Sequence, residues 1–280
     1  MKIGFIGTGS MGSLLVDAFI QSGALLPGQI KAANRSFTKA ECLAKKHPGL
    51  QAVPANVEAA LGSDMVFLCI KPLEYKTVLD EIKASLQPEQ MIISITSPVL
   101  LAQLEEYVPS KVAKVIPSIT NYTLSGASLC MYGSRMNEHD QYVLEELLGY
   151  ISRPLRITER YTRVVSDLSS CGPAFFAYLL EQFIDAAVEE TGIDRDEAIT
   201  LASSMLLGTG KLLTEGGFTP SELQARVSVP GGITAQALHL LDNELDGVFN
   251  RLIRTTHAKY DEDVGKVAAA FYEQRIQGPG

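Results

Sequence analysis

Lys2-Ile3-Gly4-Phe5-Ile6-Gly7-Thr8-Gly9-Ser10-Met11-Gly12, near the start of a 280-residue chain, is the stretch that decides the fold. Ile3 to Ile6 is an apolar run of the kind that forms a buried parallel strand. After the glycines, Leu14, Leu15, Ala18 and Phe19 recur at helical spacing. Each glycine has a physical task between strand and helix. Gly7 allows a tight turn off the strand, Gly9 lets a pyrophosphate approach the backbone, and Gly12 lets the helix pack close to the sheet. The helix start then offers free N–H groups and a positive dipole end to phosphate. In this strand-to-helix context the motif predicts a dinucleotide site built from Gly7, Thr8, Gly9, Ser10, Met11 and Gly12. The plain alternative is an ordinary glycine-rich turn.

The next strand is predicted over residues 29–33 and stops at Asn34-Arg35-Ser36. An NAD-binding unit usually ends this strand in Asp or Glu, which accepts from the ribose 2′-hydroxyl, whereas an Arg there meets a 2′-phosphate. No acidic residue occurs from Gln21 to Lys39. Asn34, Arg35 and Ser36 are therefore assigned to the cofactor, which is predicted to be NADP. A solvated Arg after a strand is the alternative reading of Arg35. Downstream, Asp64-Met-Val-Phe-Leu-Cys-Ile70 is read as a strand buried on both faces, followed by Lys71 and Pro72. Residues just past the carboxyl end of a parallel strand face the ligand.

Composition bounds the rest. The chain is 46% hydrophobic and 20% charged, as expected of a globular protein, and its length suits two domains. A net charge of -8 argues against nucleic acid as a partner, because phosphate backbones need a basic surface. No apolar run approaches a membrane span, and no secretory h-region precedes the glycine motif. Cys42, Cys69, Cys130 and Cys171 form no CxxC pair, and the four histidines show no ligand spacing. The expectation is reduced thiols in a cytoplasmic protein without a metal.

Strands and helices alternate to about residue 159, which predicts a mainly parallel, Rossmann-type sheet covered on both faces over residues 1–159. From residue 160 to 280 only helices are predicted. Ser169-Ser-Cys-Gly-Pro173 is read as breaking one helix and starting the next, and the last helix is predicted over residues 245–274. Gln277-Gly-Pro-Gly280 is read as a loose tail.

The whole chain resembles the delta-1-pyrroline-5-carboxylate reductase family. The residues that carry the resemblance are the opening glycine loop, Asn56 ahead of the strand that ends in Lys71-Pro72, and Ser169-Ser-Cys-Gly-Pro-Ala174. Glu181 and Asp185 match an acidic pair four residues apart. Val229-Pro230-Gly231-Gly232-Ile233-Thr234 matches the most specific motif, in which the family has Ser at the first position. The resemblance implies hydride transfer from NADPH to the C=N carbon of a cyclic imine carboxylate, most simply pyrroline-5-carboxylate, giving proline. It implies that Asn56 meets the cofactor. Backbone N–H groups of Gly231, Gly232 and Ile233 would hold the substrate carboxylate, with Val229 beside it, and Thr234 would orient the ring nitrogen as the catalytic residue. It also implies a homodimer or higher homo-oligomer, an all-helical dimerisation domain and an active site completed between subunits.

There are departures. Ile116-Pro117-Ser118-Ile119-Thr120 stands where the family often has Met-Pro-Asn-Thr-Pro, and Val229 replaces Ser. The chain looks more like a divergent paralogue, of the kind encoded with late-competence genes in some spore-forming bacteria, than the housekeeping enzyme. An NADP-binding regulatory paralogue is therefore one alternative. A hydroxyacid dehydrogenase of the same two-domain plan is another, but the Asn expected four residues after a helix Lys is missing after Lys211. On the residues alone, Thr234 is equally a plain helix-start residue, Glu181 and Asp185 a solvated face, and His239 and His257 surface or packing residues.

Overall fold

The computed structural model describes residues 1–276, with side chains through Tyr272, and the tail expected at 277–280 lies outside the described residues. Eight strands form one sheet: β1 (Ile3–Ile6), β2 (Ile30–Ala33), β3 (Gln51–Val53), β4 (Met65–Leu68), β5 (Met91–Ser94), β6 (Lys111–Ile116), β7 (Ala127–Tyr132) and β8 (Arg153–Arg156). Their spatial order is β3-β2-β1-β4-β5-β6-β7-β8. Every pairing is parallel except β6 with β7, so the expected mainly parallel sheet is what forms. The exception follows from the connection. Residues 117–126 make only a short 3-10 turn, whereas a parallel return needs a crossover element of a dozen or more residues.

The helices between the strands are α1 (Ser10–Gln21), α2 (Phe37–Lys46), α3 (Asn56–Ala60), α4 (Tyr75–Ile82), α5 (Leu101–Tyr107) and α6 (Glu138–Gly149). They cover both faces because the central strands are apolar on both. On β1, Ile3 and Phe5 enter one core with Leu15 and Phe19 of α1, while Ile6 enters the other with Leu79 and Ile82 of α4. Phe5 and Phe67 stack at 5.0 Å in the first core, and both are fully buried. Each such side chain contributes roughly 1.5–3 kcal/mol by leaving water.

After β8 the chain is helical: α7 (Thr162–Ser166), α8 (Gly172–Thr191), α9 (Arg195–Thr214), α10 (Pro220–Val227), α11 (Ile233–Glu244) and α12 (Val248–Ile276). The break expected at residues 169–173 does not occur. A π-helical turn over Asp167–Cys171 joins α7 directly to α8. Pro173 has no N–H to give the carbonyl four residues back, that of Ser169, and this carbonyl instead accepts from Ser118 Oγ at 2.9 Å. The Ser170 hydroxyl donates to Pro117 O at 2.9 Å, so the turn is tied to the loop after β6.

The chain forms two compact units. The first comprises residues 1–172 together with those from Thr255 onward, and the second is Pro173–Arg254. This differs from a single division after residue 159. The later part of α12 belongs with the sheet, where Val267 and Phe271 are buried and the Phe271 ring meets Tyr107 edge-on at 5.4 Å. Among the described residues, no helix is long and apolar enough to cross a membrane.

Candidate active site

In the first unit, Gly7 has φ +99°, and a Cβ there would lie 2.3 Å from the Cys69 carbonyl oxygen. A Cβ on Gly12 would lie 2.0 Å from Gly7 O. Both positions therefore admit only glycine. Gly9 differs, since a Cβ there meets nothing within 4 Å. The space above Gly9 is open, and Gly9 caps α1 without any side-chain hydrogen bond to the helix start. Ser10 and Met11 lie in that first turn. Thr8 is buried; its N–H donates to Asn34 Oδ1 at 3.0 Å, and its hydroxyl oxygen has no hydrogen-bond partner. An uncapped helix start, an open glycine and an orphaned hydroxyl fit a bound phosphate.

Asn34 also donates from Nδ2 to Ser36 O at 3.1 Å, so both ends of its amide hold the loop. Arg35 stands at the rim, its side chain 88% exposed, and donates from Nη1 to Glu74 Oε1 at 2.8 Å. Ser36 precedes α2, and its hydroxyl makes no cap bond to the helix. A groove of about 340 Å³ beside Thr8 is lined by Ser13, Asp17, Thr38 and Lys39 among others. Asn56 begins α3, and its amide donates to Glu81 Oε2 at 2.6 Å.

Past the ends of β4, β5 and β6, a second cleft of about 330 Å³ is lined by Met11, Cys69, Ile70, Lys71, Ile95, Thr96 and Pro117. Pro72 follows and opens the short turn that ends at Glu74. Burial pushes the Cys69 thiol pKa well up, which disfavours the thiolate. Lys71 is the one ionisable side chain in this lining besides that thiol. Behind the cleft, Lys114 is fully buried, and its Nζ meets Glu159 Oε1 at 2.5 Å and Ser97 O at 3.1 Å. Burial lowers the Lys114 pKa despite the opposing pull of Glu159.

The second unit holds the other set of predicted residues. Gly231 has φ +73°, and Gly232 N donates to Val229 O at 2.9 Å. Gly232 caps α11 with no side-chain hydrogen bond, as Gly9 does for α1. A Cβ on Gly232 would lie 2.7 Å from Val229 Cγ2, so the Val229 side chain leans on the turn. Ile233 is exposed and Thr234 half-buried. Asp185 Oδ1 accepts from Arg195 Nη1 at 2.6 Å, and Glu181 is exposed. His239 is exposed beside Asn243, and His257 lies 4.0 Å from the buried Asp167 carboxylate. The residues predicted for the cofactor thus lie in the first unit, and those predicted for the substrate lie in the second.

Three groups around the nucleotide end escaped the sequence reading: Glu74, Thr38 and Lys39. Glu74 comes from the loop after β4, so inspecting the residues that follow β2 could not find it. Lys39, in the first turn of α2, was within reach of that inspection.

A pyrroline-5-carboxylate reductase of Methanosarcina acetivorans is 33% identical over 245 residues, covering 86% of this chain and 89% of the relative. The chain belongs to the pyrroline-5-carboxylate reductase family. The family model for pyrroline-5-carboxylate reductase dimerisation matches residues 159–263, and that for NADP oxidoreductase, coenzyme F420-dependent, matches residues 2–98. The chain is accordingly an NADP-dependent oxidoreductase of the pyrroline-5-carboxylate reductase type. ComE operon protein 4 of Bacillus subtilis is 42% identical over 272 residues, covering 97% of this chain and all of that protein. In fold, the chain is similar to Plasmodium falciparum pyrroline carboxylate reductase with NADP bound. The TM-score is 0.81 at 24% identity, over 97% of this chain and 98% of the other.

Proposed function

We propose that this chain reduces the C=N bond of a cyclic imine carboxylate with NADPH, with pyrroline-5-carboxylate as the leading substrate and proline as the product. The observation that carries the reading is the lining of the cleft past β4, β5 and β6, which holds no carboxylate and no imidazole. A carbonyl or hydroxyacid substrate needs a general acid or base in reach of its oxygen, for which this lining offers only Lys71. A protonated imine already carries its proton and needs only placement. NADPH, when bound, supplies the hydride. The chain's residues do the rest. The α1 start and the Thr8 hydroxyl hold the pyrophosphate, Arg35 meets the 2′-phosphate, and Ile70 and Lys71 border the cleft. The backbone N–H groups of Gly231 to Ile233 receive the carboxylate, and the Thr234 hydroxyl orients the ring nitrogen.

The same reading makes the protein a cytoplasmic homodimer or higher homo-oligomer. Phe176, Phe183, Leu201 and Leu207 of α8 and α9 are all more than half exposed, which suits burial against a second copy. Val229 favours a second reading. Val cannot donate a hydrogen bond to a carboxylate, so the chain could bind NADP as a regulatory paralogue with little turnover. Purified protein with NADPH, assayed on pyrroline-5-carboxylate and on the same ring without its carboxylate, separates the two. Carboxylate-dependent NADPH oxidation supports the reductase. NADP binding with no turnover on either imine supports the regulatory reading.

A further inference from the structure

The segment that follows β2 contains no acidic residue, yet the folded chain brings a carboxylate there from elsewhere. Glu74, at the end of the turn after Lys71-Pro72, accepts from Arg35 at 2.8 Å. Neither group is buried. The Arg35 side chain is 88% exposed and that of Glu74 36%, so both are open to a ligand arriving at the rim. Asn34 has spent its amide on Thr8 N and Ser36 O. Arg35 and Glu74 are thus the oppositely charged pair beside the place where the ribose 2′-substituent is read.

We propose that Glu74 sets the discrimination between a 2′-phosphate and a 2′-hydroxyl. The inference rests on the assignment of Arg35 to the 2′-phosphate. A 2′-phosphate carries close to two negative charges at neutral pH, so it must take Arg35 away from Glu74 and then sit beside that carboxylate. A 2′-hydroxyl has no such conflict. It donates to Glu74 in the way a strand-end Asp or Glu accepts it in NAD-binding units, while Arg35 keeps its partner. Glu74 therefore lowers affinity for NADPH and raises it for NADH. The preference for NADPH is then narrower than Arg35 alone would give.

The test is calorimetric titration of the wild type, Glu74→Gln and Arg35→Ala with NADPH and NADH, and with 2′,5′-ADP and 5′-AMP as probes that lack the nicotinamide. Glu74→Gln should tighten NADPH and 2′,5′-ADP by about three- to tenfold and weaken NADH by a similar factor. The gain for 2′,5′-ADP should shrink as ionic strength rises, because both charges are exposed. Arg35→Ala should weaken NADPH about ten- to a hundredfold and leave NADH nearly unchanged. If Glu74→Gln leaves the NADPH to NADH ratio where it was while Arg35→Ala still selects against NADPH, the role of Glu74 is overturned and the cofactor assignment stands. Equal losses for both dinucleotides in Arg35→Ala would overturn the assignment, and the inference with it.

Discussion

Replacing Gly12 and Gly9 by alanine separates two things the glycine loop does. A Cβ on Gly12 would stand 2.0 Å from Gly7 O and 3.0 Å from Cys69 Cβ, and real Cβ contacts essentially never fall below 3.0 Å. The start of α1 must therefore withdraw from Gly7 by about 1 Å. Overpacking of this kind costs about 1–3 kcal/mol of stability. The withdrawal also carries the helix N–H groups out of hydrogen-bond range of a phosphate. Two charge-assisted bonds at about 1.5–3 kcal/mol each give a loss of about 3–6 kcal/mol, or a hundredfold to ten-thousandfold in affinity. Gly9 makes the opposite case. Its φ of -75° suits alanine, and its Cβ position is empty. Gly9→Ala should keep stability within about 1 kcal/mol, the usual scale of an N-cap change. It should still weaken NADPH binding at least tenfold, because the methyl enters the phosphate's space. Urea unfolding and calorimetric NADPH titration of both variants provide the measurements. NADPH affinity within threefold of wild type in either variant would refute the phosphate cradle.

Four further outcomes are expected. Thr234→Ala should lower kcat on an active imine by at least tenfold with NADPH affinity unchanged if its hydroxyl orients the reacting ring as proposed; unaltered turnover removes it from the site. Val229→Ser should lower KM for pyrroline-5-carboxylate by about tenfold and leave KM for the ring without a carboxylate alone; an equal effect on both makes Val229 a packing residue only. Lys114 has its pKa lowered by burial, so between that value and its ordinary 10.5 the unfolded chain binds more protons and stability rises with pH. Urea midpoints of wild type should climb from pH 7 to 10 relative to Lys114→Met, and parallel profiles would exclude this. Light scattering should find a dimer or larger, with Phe183→Glu and Leu207→Glu together shifting it toward monomer; a wild-type monomer at micromolar concentration contradicts the proposed assembly.

Much of the fold was legible because its signals are local. The Ile3–Ile6 run, the glycines and the spaced apolar residues of α1 sit within twenty positions, and so do the strands with their turns. The helix through residues 167–173 was misread because Pro173 is a reliable breaker only when the freed carbonyl lacks another donor. That donor, Ser118, lies 51 residues before Ser169. Nothing near Lys114 in the sequence announced its charge partner, since Glu159 is 45 positions away. Glu74 was invisible for the same reason, standing 39 positions from Arg35. Gly7 and Gly12 could be read from spacing because each answers to backbone geometry. The charged partners could not, because they are set by the sheet order that brings β2 and β4 to either side of β1.

Val267 and Phe271 complete the core beside α4 and α5, although about eighty residues of the second unit intervene between them and the rest of their own unit. Synthesis therefore imposes an order. The nucleotide-binding half emerges from the ribosome first but waits, with the surface around Tyr107 uncovered, until α12 has been made. The intervening unit emerges entire before that moment and can fold during the wait. A fragment cut at residue 159 or 172 would keep every residue of the phosphate loop and still lack the last two apolar side chains of its core. Such a half-chain should expose an oily strip and aggregate, a hazard the longer polypeptide meets only until α12 has been made.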